Sequence, residues 1–238
     1  MAKERLDKLI ASTGRWSRRE VKTLVREGRV LVDGRIAGSA EEKYDAESCR
    51  IAVNGEELLL RRHTYVMLHK PAGVLSATED GRGRTVLDLL TPELRKIGVF
   101  PVGRLDKDTE GLLLLTDDGE LAHALLSPKK HVDKIYYARV SGQLAPEDCA
   151  AFEAGMTLGD GLECLPAGLE ILAAGETSEC LVTLREGKFH QVKRMLAARG
   201  KPVTYLKRLS MGSLRLDDTL APGEFRLLTA AEEAQLQR

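Results

Sequence analysis

Apolar residues first recur at helical spacing at Leu6, Leu9 and Ile10, which predicts a short helix ending near Gly14. Ser17 and Glu20 make an S-x-x-E capping-box pattern that opens a second helix, with Val21, Leu24 and Val25 as its apolar face. Val30-Leu31-Val32, Asp33-Gly34 and Arg35-Ile36 then read as strand, tight turn and strand. The polar stretch from Gly38 to Ser48 predicts a loop, and Arg50 to Val53 a closing strand. The Asn54-Gly55 turn and the run Arg61-Arg62-His63 mark a boundary. A helix–helix–hairpin domain over residues 1–60 is therefore expected, followed by a second domain over 61–238.

Beyond Thr64 the pattern alternates irregularly. Strands are predicted at Tyr65 to Leu68, Val99 to Val102, Leu112 to Thr116, Ile135 to Val140 and Cys180 to Leu184. Helices are predicted at Val86 to Leu90, Glu120 to Leu126, Pro146 to Ala154, Val192 to Arg199 and Ala230 to Gln237. Glycine-rich turns recur without a regular βαβ period, which favours an α+β fold over a doubly wound parallel sheet. There is no internal repeat.

Composition narrows the class. The 43% hydrophobic fraction supports a sizeable core, and 36 basic against 36 acidic residues give no net charge. The distribution is uneven. Met1 to Arg35 carries ten Lys/Arg against five Asp/Glu, and Arg185 to Arg208 eight against one, Glu186. Two basic islands in a neutral chain point to polyanion-facing surfaces, or else to an ordinary mixed-charge surface. In the first island, Arg18, Lys22 and Arg26 recur at four-residue spacing with Arg19 beside them. The cysteines Cys49, Cys149, Cys164 and Cys180 form no C-x-x-C pair and read as reduced thiols. The start MAKERLDKLI is too charged for a signal peptide, and no apolar run approaches the ~20 residues of a membrane span. A cytoplasmic protein with no membrane partner is expected.

The candidate chemistry centres on GRLDKDTEGLLLLTDDG, Gly103 to Gly119. A loop with Arg104, Asp106 and Asp108 runs directly into four leucines, a buried-strand candidate. A carboxylate at such a junction is rigidly placed and partly desolvated, as a functional group must be, although aspartates also simply turn chains. Asp106, Asp108, Glu110, Gly111 and Asp117 match a calcium-loop spacing, but position 12 is Asp, the intervening LLLLT is strand-like and no helix leads in. A metal-dependent hydrolase using Asp106, Asp108, Asp117 and Asp118 would need carboxylates converging within about 4 Å of the ions, which an intervening strand opposes. No metal is expected.

In REGKFHQVKR, Arg185 to Arg194, a helix places Val192, Met195 and Leu196 inward and His190, Lys193 and Arg194 on one face. Such a cluster suits a carboxylate or phosphates, or is a solvated basic face; His190 by itself reads as a structural, hydrogen-bonded histidine. Of the adjacent Tyr136 and Tyr137, strand alternation turns one inward and one outward, for base stacking or for core packing. Glu79 to Thr85 lacks the Gly-Lys-Ser/Thr ending of a P-loop, and no G-x-S-x-G, H-E-x-x-H or G-x-G-x-x-G pattern occurs.

Taken together these motifs resemble the ribosomal small-subunit pseudouridine synthase family along nearly the whole chain. RLDKLIA and SRREVKTLVREGRVLVDG resemble an S4 RNA-binding domain; YVMLHKPAG resembles the first motif of the catalytic domain, with His69 where Asn is usual. GRLDKDTEGLLLLTDDG, Lys134-Ile135-Tyr136 and EGKFHQVKRM are similar to the elements that follow, in the family's order. The resemblance implies a mixed, mainly antiparallel sheet with flanking helices. It also implies Asp106 as the catalytic aspartate, Arg104 as a holder of the flipped-out nucleotide and Tyr136 as the stacking tyrosine. Lys193 stands at the basic position paired with the aspartate, with Arg194 adjacent. Arg15, Arg18, Arg19, Lys22, Arg26 and Arg194 are the expected RNA contacts. The reaction is an isomerisation of uridine to pseudouridine, needing no cofactor, on a nucleotide extruded from its stack. The ending HQVKRM resembles the branch acting on 16S ribosomal RNA, where large-subunit relatives tend towards RQVRRM. Ribosomal RNA or an assembly intermediate is the expected partner, and a monomer the expected state.

Overall fold

The computed structural model describes residues 3–46, 48–127 and 130–236. The chain divides into two units, one running through Thr64 and taking in Leu90–Val99, the other Tyr65–Leu89 with the chain from Phe100 onward.

In the first unit β1 (Glu4–Arg5) leads into α1 (Leu6–Ala11), followed by α2 (Arg18–Arg26). Ser17 accepts from the Glu20 amide and the Glu20 carboxylate accepts from the Ser17 amide, so the predicted capping box forms. The strands β2 (Val30–Val32), β3 (Arg35–Ile36), β5 (Ile51–Val53) and β6 (Glu56–Glu57) make a four-stranded sheet in the order β3-β2-β5-β6. The polar stretch expected to be only loop contains β4 (Lys43–Tyr44), paired with β1. Leu6, Ile10, Val21, Val30 and Ile51 are fully buried together in one core. Asp7 is buried beside them, and burial pushes its carboxyl up. Hydrogen bonds from Arg5 and Arg18 outweigh this and leave it below the usual range. Within Leu90–Val99, the short helix α3 (Pro92–Ile97) has Thr91 at its N-cap, Pro92 in its first turn and left-handed Gly98 after its end.

The second unit is built on one sheet. Its strands are β7 (Tyr65–Lys70), β8 (Phe100–Pro101) on the side of β9 (Glu110–Thr116), β10 (Lys134–Ser141), β13 (Gly168–Ala173), β14 (Thr177–Leu184), β15 (Val203–Met211), β16 (Leu214–Arg215) beside β15, and β17 (Phe225–Leu227). Among the described residues their order is β13-β14-β10-β15-β9-β7-β17. A small ribbon joins β11 (Met156–Thr157) to β12 (Glu163–Cys164). Among the strand pairs of the described residues only β15 and β9 run in parallel, so the sheet is mixed and mainly antiparallel. All of β7, and β9 from Gly111 onward, are buried, which accounts for unbroken apolar runs in place of alternation. Helices α4 (Gly119–Leu126), α5 (Pro146–Ala154), α6 (Gln191–Ala198) and α7 (Ala230–Leu236) flank it.

Several elements differ from the pattern-based expectation. Val86–Leu89 is a single 3-10 turn, the strand expected from Val99 shrinks to Phe100–Pro101, and Gln237 lies outside the described residues. The helix α3, the longer strands β13, β15 and β17, and the two-residue strands β1, β4, β6, β11, β12 and β16 have no counterpart in that expectation. Among them β15 is the most consequential, because its pairing with β9 frames the loop that carries Asp106.

Candidate active site

The loop from Gly103 to Thr109 connects β8 to β9 and is gripped from below. Lys70, fully buried at the end of β7, donates from Nζ to the carbonyls of Pro71 (2.9 Å), Thr109 (2.9 Å) and Lys107 (3.2 Å). Burial pushes its ammonium down to about 8, and the Asp108, Asp106 and Glu110 carboxylates oppose that shift. Ser76 Oγ donates to the Leu105 carbonyl (2.9 Å) and accepts from its amide (3.1 Å). The Gly73 amide donates to the Lys107 carbonyl (2.7 Å). Four backbone groups of the loop, the carbonyls of Leu105, Lys107 and Thr109 and the amide of Leu105, are thereby fixed, and Asp106 projects from a rigid base. The sequence pattern did not single out Lys70. The available signal was a lysine ending an otherwise apolar strand just before Pro71.

From the other side comes α6. Lys193 Nζ lies 3.0 Å from Asp106 Oδ2 and 2.5 Å from Asp108 Oδ1. Partial burial pulls the Lys193 ammonium down, but the two aspartates outweigh it and its pKa ends above the ordinary lysine value. Lys193 in turn holds the Asp108 carboxyl below its ordinary range. His190 Nε2 lies 3.5 Å from Asp106 Oδ1. The expectation of a merely structural histidine is corrected here, since the ring stands half-exposed against the carboxylate. Its backbone is left-handed (φ 50°, ψ 32°), which costs a non-glycine residue about 1 kcal/mol.

Gln191 holds that turn. Its Nε2 donates to Glu186 Oε1 (2.6 Å) and its Oε1 accepts from the Lys188 amide (3.0 Å), while Glu186 also accepts from the Leu165 amide (2.9 Å). Gln191 and Glu186 are both buried, so the link is shielded from competing water.

Asp106, Arg104, Tyr136, His190, Gln191 and Leu206 line one hollow. Tyr136 is the inward member of the tyrosine pair. Tyr137 faces the other way, edge-on to Tyr205 at 6.0 Å. Arg104 is exposed at the mouth. The hydroxyl of Thr109, another lining residue, is buried with no hydrogen-bond partner among the described residues. His69, at the variant position of the first motif, donates from Nδ1 to the Leu220 carbonyl (2.7 Å), away from the hollow.

Not every expected residue converges. Arg194 turns away to Asp160 (2.5 Å). Elsewhere in its island, Arg185 pairs with Asp133, Lys188 with Glu186 and Arg199 with Asp148, while Arg208 is buried with Nε donating to the Leu112 carbonyl. The charge counted along that segment is thus mostly consumed inside the fold. In the first unit Arg15 pairs with Glu56, Arg18 with Asp7 and Lys22 with Glu41. Arg19 and Arg26 are exposed and have no carboxylate partner among the described residues.

The calcium-like and two-metal spacings do not become sites. The strand β9 carries Asp117 and Asp118 to its far end, roughly 20 Å from Asp106 at about 3.3 Å per residue. Asp118 there accepts from the Tyr65 hydroxyl (2.8 Å) and caps α4. Among the described residues no three His, Cys, Asp or Glu side chains are grouped to hold a metal ion.

A partly buried aspartate on a pinned loop, paired to a lysine and sharing a hollow with an inward tyrosine on a mixed sheet, defines a class that comparison identifies. Residues 64–198 match the RNA pseudouridylate synthase family and residues 4–48 the S4 domain. A solved pseudouridylate synthase superposes with a TM-score of 0.68 at 35% identity, covering 98% of this chain and 99% of its own. An uncharacterized RNA pseudouridine synthase of Bacillus subtilis is 51% identical over 229 residues, 96% of either chain. The ribosomal small subunit pseudouridine synthase A of Vibrio cholerae is 40% identical, covering 98% of this chain and 99% of its own. The ribosomal large subunit pseudouridine synthase B of Bacillus subtilis is 39% identical, covering 98% and 96%. The chain belongs to the RNA pseudouridylate synthase family. It is a pseudouridine synthase with an S4 domain, and RNA is its substrate.

Proposed function

We propose that this enzyme isomerises one specific uridine of small-subunit ribosomal RNA, with Asp106 carrying the chemistry. The observation that carries the assignment is the Asp106 carboxylate, a quarter exposed in a hollow shared with Tyr136 and ion-paired to Lys193 at 3.0 Å. The extruded uridine enters that hollow, where Tyr136 supports the base and Arg104 at the mouth meets its phosphate. Asp106 can add to the ribose C1′ or take the C2′ proton. Either route breaks the N1–C1′ bond, and both need the charge that Lys193 and His190 surround. The uracil turns within the hollow and rebonds through C5 to C1′, as the Asp106–C1′ bond breaks on the first route or Asp106 returns the proton to C2′ on the second; the C5 proton then leaves and N1 takes one up. Atoms and charge balance, so no cofactor enters.

The small-subunit assignment rests on HQVKRM at the start of α6 and on the small-subunit relative. The free cysteines and the RNA substrate support a cytoplasmic enzyme, working as a monomer on ribosomal RNA or an assembly intermediate. No helix among the described residues is long and apolar enough to cross a membrane. Mapping pseudouridines in ribosomal RNA from cells lacking the protein tests the assignment. One small-subunit position should lose its pseudouridine and regain it with the wild-type gene but not with Asp106→Asn. A loss confined to large-subunit RNA would overturn the subunit assignment, and no loss in either would overturn the ribosomal one.

A further inference from the structure

Phe189 has no part in the chemistry above, yet its placement is unusual. It is 74% exposed, the one Phe, Tyr or Trp left exposed among the described residues of a chain with only 4% aromatics. Its ring lies flat on the His190 imidazole, centroids 3.8 Å apart and planes 18° from parallel. His190 lines the hollow and sits 3.5 Å from Asp106. The pair is held out by built structure. His190 adopts a left-handed backbone, and the buried Gln191–Glu186 link winds the turn beneath it. One face of Phe189 is thus covered by imidazole, and the ring stands at the rim of the hollow with Lys188 beside it in sequence.

We propose that Phe189, backed by His190, is a stacking platform for an RNA base flanking the target uridine. An exposed aromatic face costs solvation in the free enzyme and is recovered when a flat apolar partner covers it. The partner available at a hollow that takes an extruded nucleotide is the next base, unstacked on the side from which the uridine has left. Stacking tolerates any base, so the platform contributes affinity and holds the strand in place while base identity is read elsewhere. Because the Phe189 ring has no polar group to offer Asp106 or Lys193, its effect falls on binding, with the chemical step little changed. The inference rests on the enzyme acting on extruded uridine in RNA but not on which ribosomal subunit supplies it.

The test uses the full-length protein with Phe189→Leu, Phe189→Ala and Phe189→Tyr. Single-turnover pseudouridine formation, with enzyme in excess over a mixture of unmodified small- and large-subunit ribosomal transcripts, gives a half-saturating concentration and a maximal rate. Binding to a single-stranded oligouridylate is measured alongside, so the platform is judged even on RNA that is not turned over. The half-saturating concentration and the oligouridylate Kd should rise about tenfold in the Leu and Ala variants, with the maximal rate within about twofold of wild type, and the Tyr variant should restore both. Unchanged binding by Phe189→Leu would overturn the proposal. So would a fall in maximal rate at unchanged binding, which would make Phe189 a prop for His190. Self-association of wild type that disappears in Phe189→Leu, seen by sedimentation, would assign the face to a second copy and overturn it too. If wild type binds and loses affinity on substitution but makes no pseudouridine on either transcript, the platform stands and the ribosomal assignment falls.

Discussion

Asp106 and Asp108 are two residues apart and share the Lys193 ammonium, but their surroundings assign them different work. Asp106 is 24% exposed and lines the hollow, with His190 on its second oxygen. Asp108 is 74% exposed and touches only Lys193 among the described side chains. An exposed ion pair contributes about 0–1 kcal/mol, so Asp108→Asn should retain activity within about tenfold of wild type. Asp106→Asn is nearly isosteric yet removes the charge and nucleophilicity, and should form no detectable pseudouridine while RNA affinity and melting temperature stay close to wild type. Single-turnover formation on RNA, with binding and melting of both variants, decides the matter; equal damage from the two would contradict the assignment. At this scale the sequence exposed the aspartates, the tyrosine and Lys193 through their motifs. It hid Lys70, whose work depends on three carbonyls brought from separate segments, and it offered His190 only as one member of a basic cluster, because the left-handed turn that sets its ring has no spacing signature.

The strand β15 shows why element-level reading failed where it did. Alternation along it buries Leu206, Arg208 and Ser210 on one face, so two of its inward positions are polar and the apolar period disappears. The helix α3 buries no residue, and only its caps, Thr91-Pro92 and Gly98, announced it. The helices and hairpin of the first unit were legible because capping box, apolar face and Asp-Gly turn all agree. The parallel seam of β15 on β9 depends on Gly111, whose φ is +105° and whose missing Cβ would fall 2.2 Å from the Arg208 carbonyl oxygen. Gly111→Ala must therefore shift the seam as well as adopt a strained backbone, at a cost of about 3 kcal/mol or more. That should lower the melting temperature by roughly 6–12 °C for a domain of this size. A melt within about 2 °C of wild type would show that the seam can give. At the C-terminal end, Arg226 bridges Asp217 (2.6 Å) and Glu232 (2.8 Å), tying β17 to α7. Hydrogen bonds from Thr219 and then Arg226 hold Asp217 down to about 2, and Arg226 does the same for Glu232. Both carboxyls are depressed on folding, so their stabilisation is full above about pH 4 and lost as pH falls through about 2. Arg226→Met should melt lower than wild type at about pH 7, and the gap should narrow steadily from about pH 4 to about pH 2.

Across the whole chain, charge counted along the sequence and charge offered to RNA are different quantities. Both basic islands were visible as counts, but the fold supplies Asp106, Asp108, Asp133, Asp148 and Asp160 to the second, and Asp7, Glu41 and Glu56 to the first. Apart from Asp7, which belongs to the first island and is already in its count, those carboxylates come from distant positions, which is why a local count overstated the free charge. The residues of the S4 domain best placed to meet phosphates are those that need not abandon a partner. On that ground Arg19 and Arg26, both exposed without a carboxylate among the described residues, rank above Arg18 and Lys22. Removing a cation that neutralises one phosphate lowers the slope of log affinity against log salt by about 1. Arg19→Ala with Arg26→Ala should therefore flatten it by about 2 and weaken binding at low salt. The melting temperature should not move, because neither side chain is buried. Arg18→Ala should behave differently, lowering the melting temperature by stripping one of two arginines from the 1%-exposed Asp7. Measuring ribosomal RNA binding between about 50 and 200 mM salt, with melts of each variant, separates the two roles. An unchanged slope in the double variant would move the phosphate-binding surface off this face of the S4 domain. A lowered slope with unchanged single-turnover rate at saturating enzyme would place the domain's contribution in affinity and leave the chemistry to the Asp106 hollow.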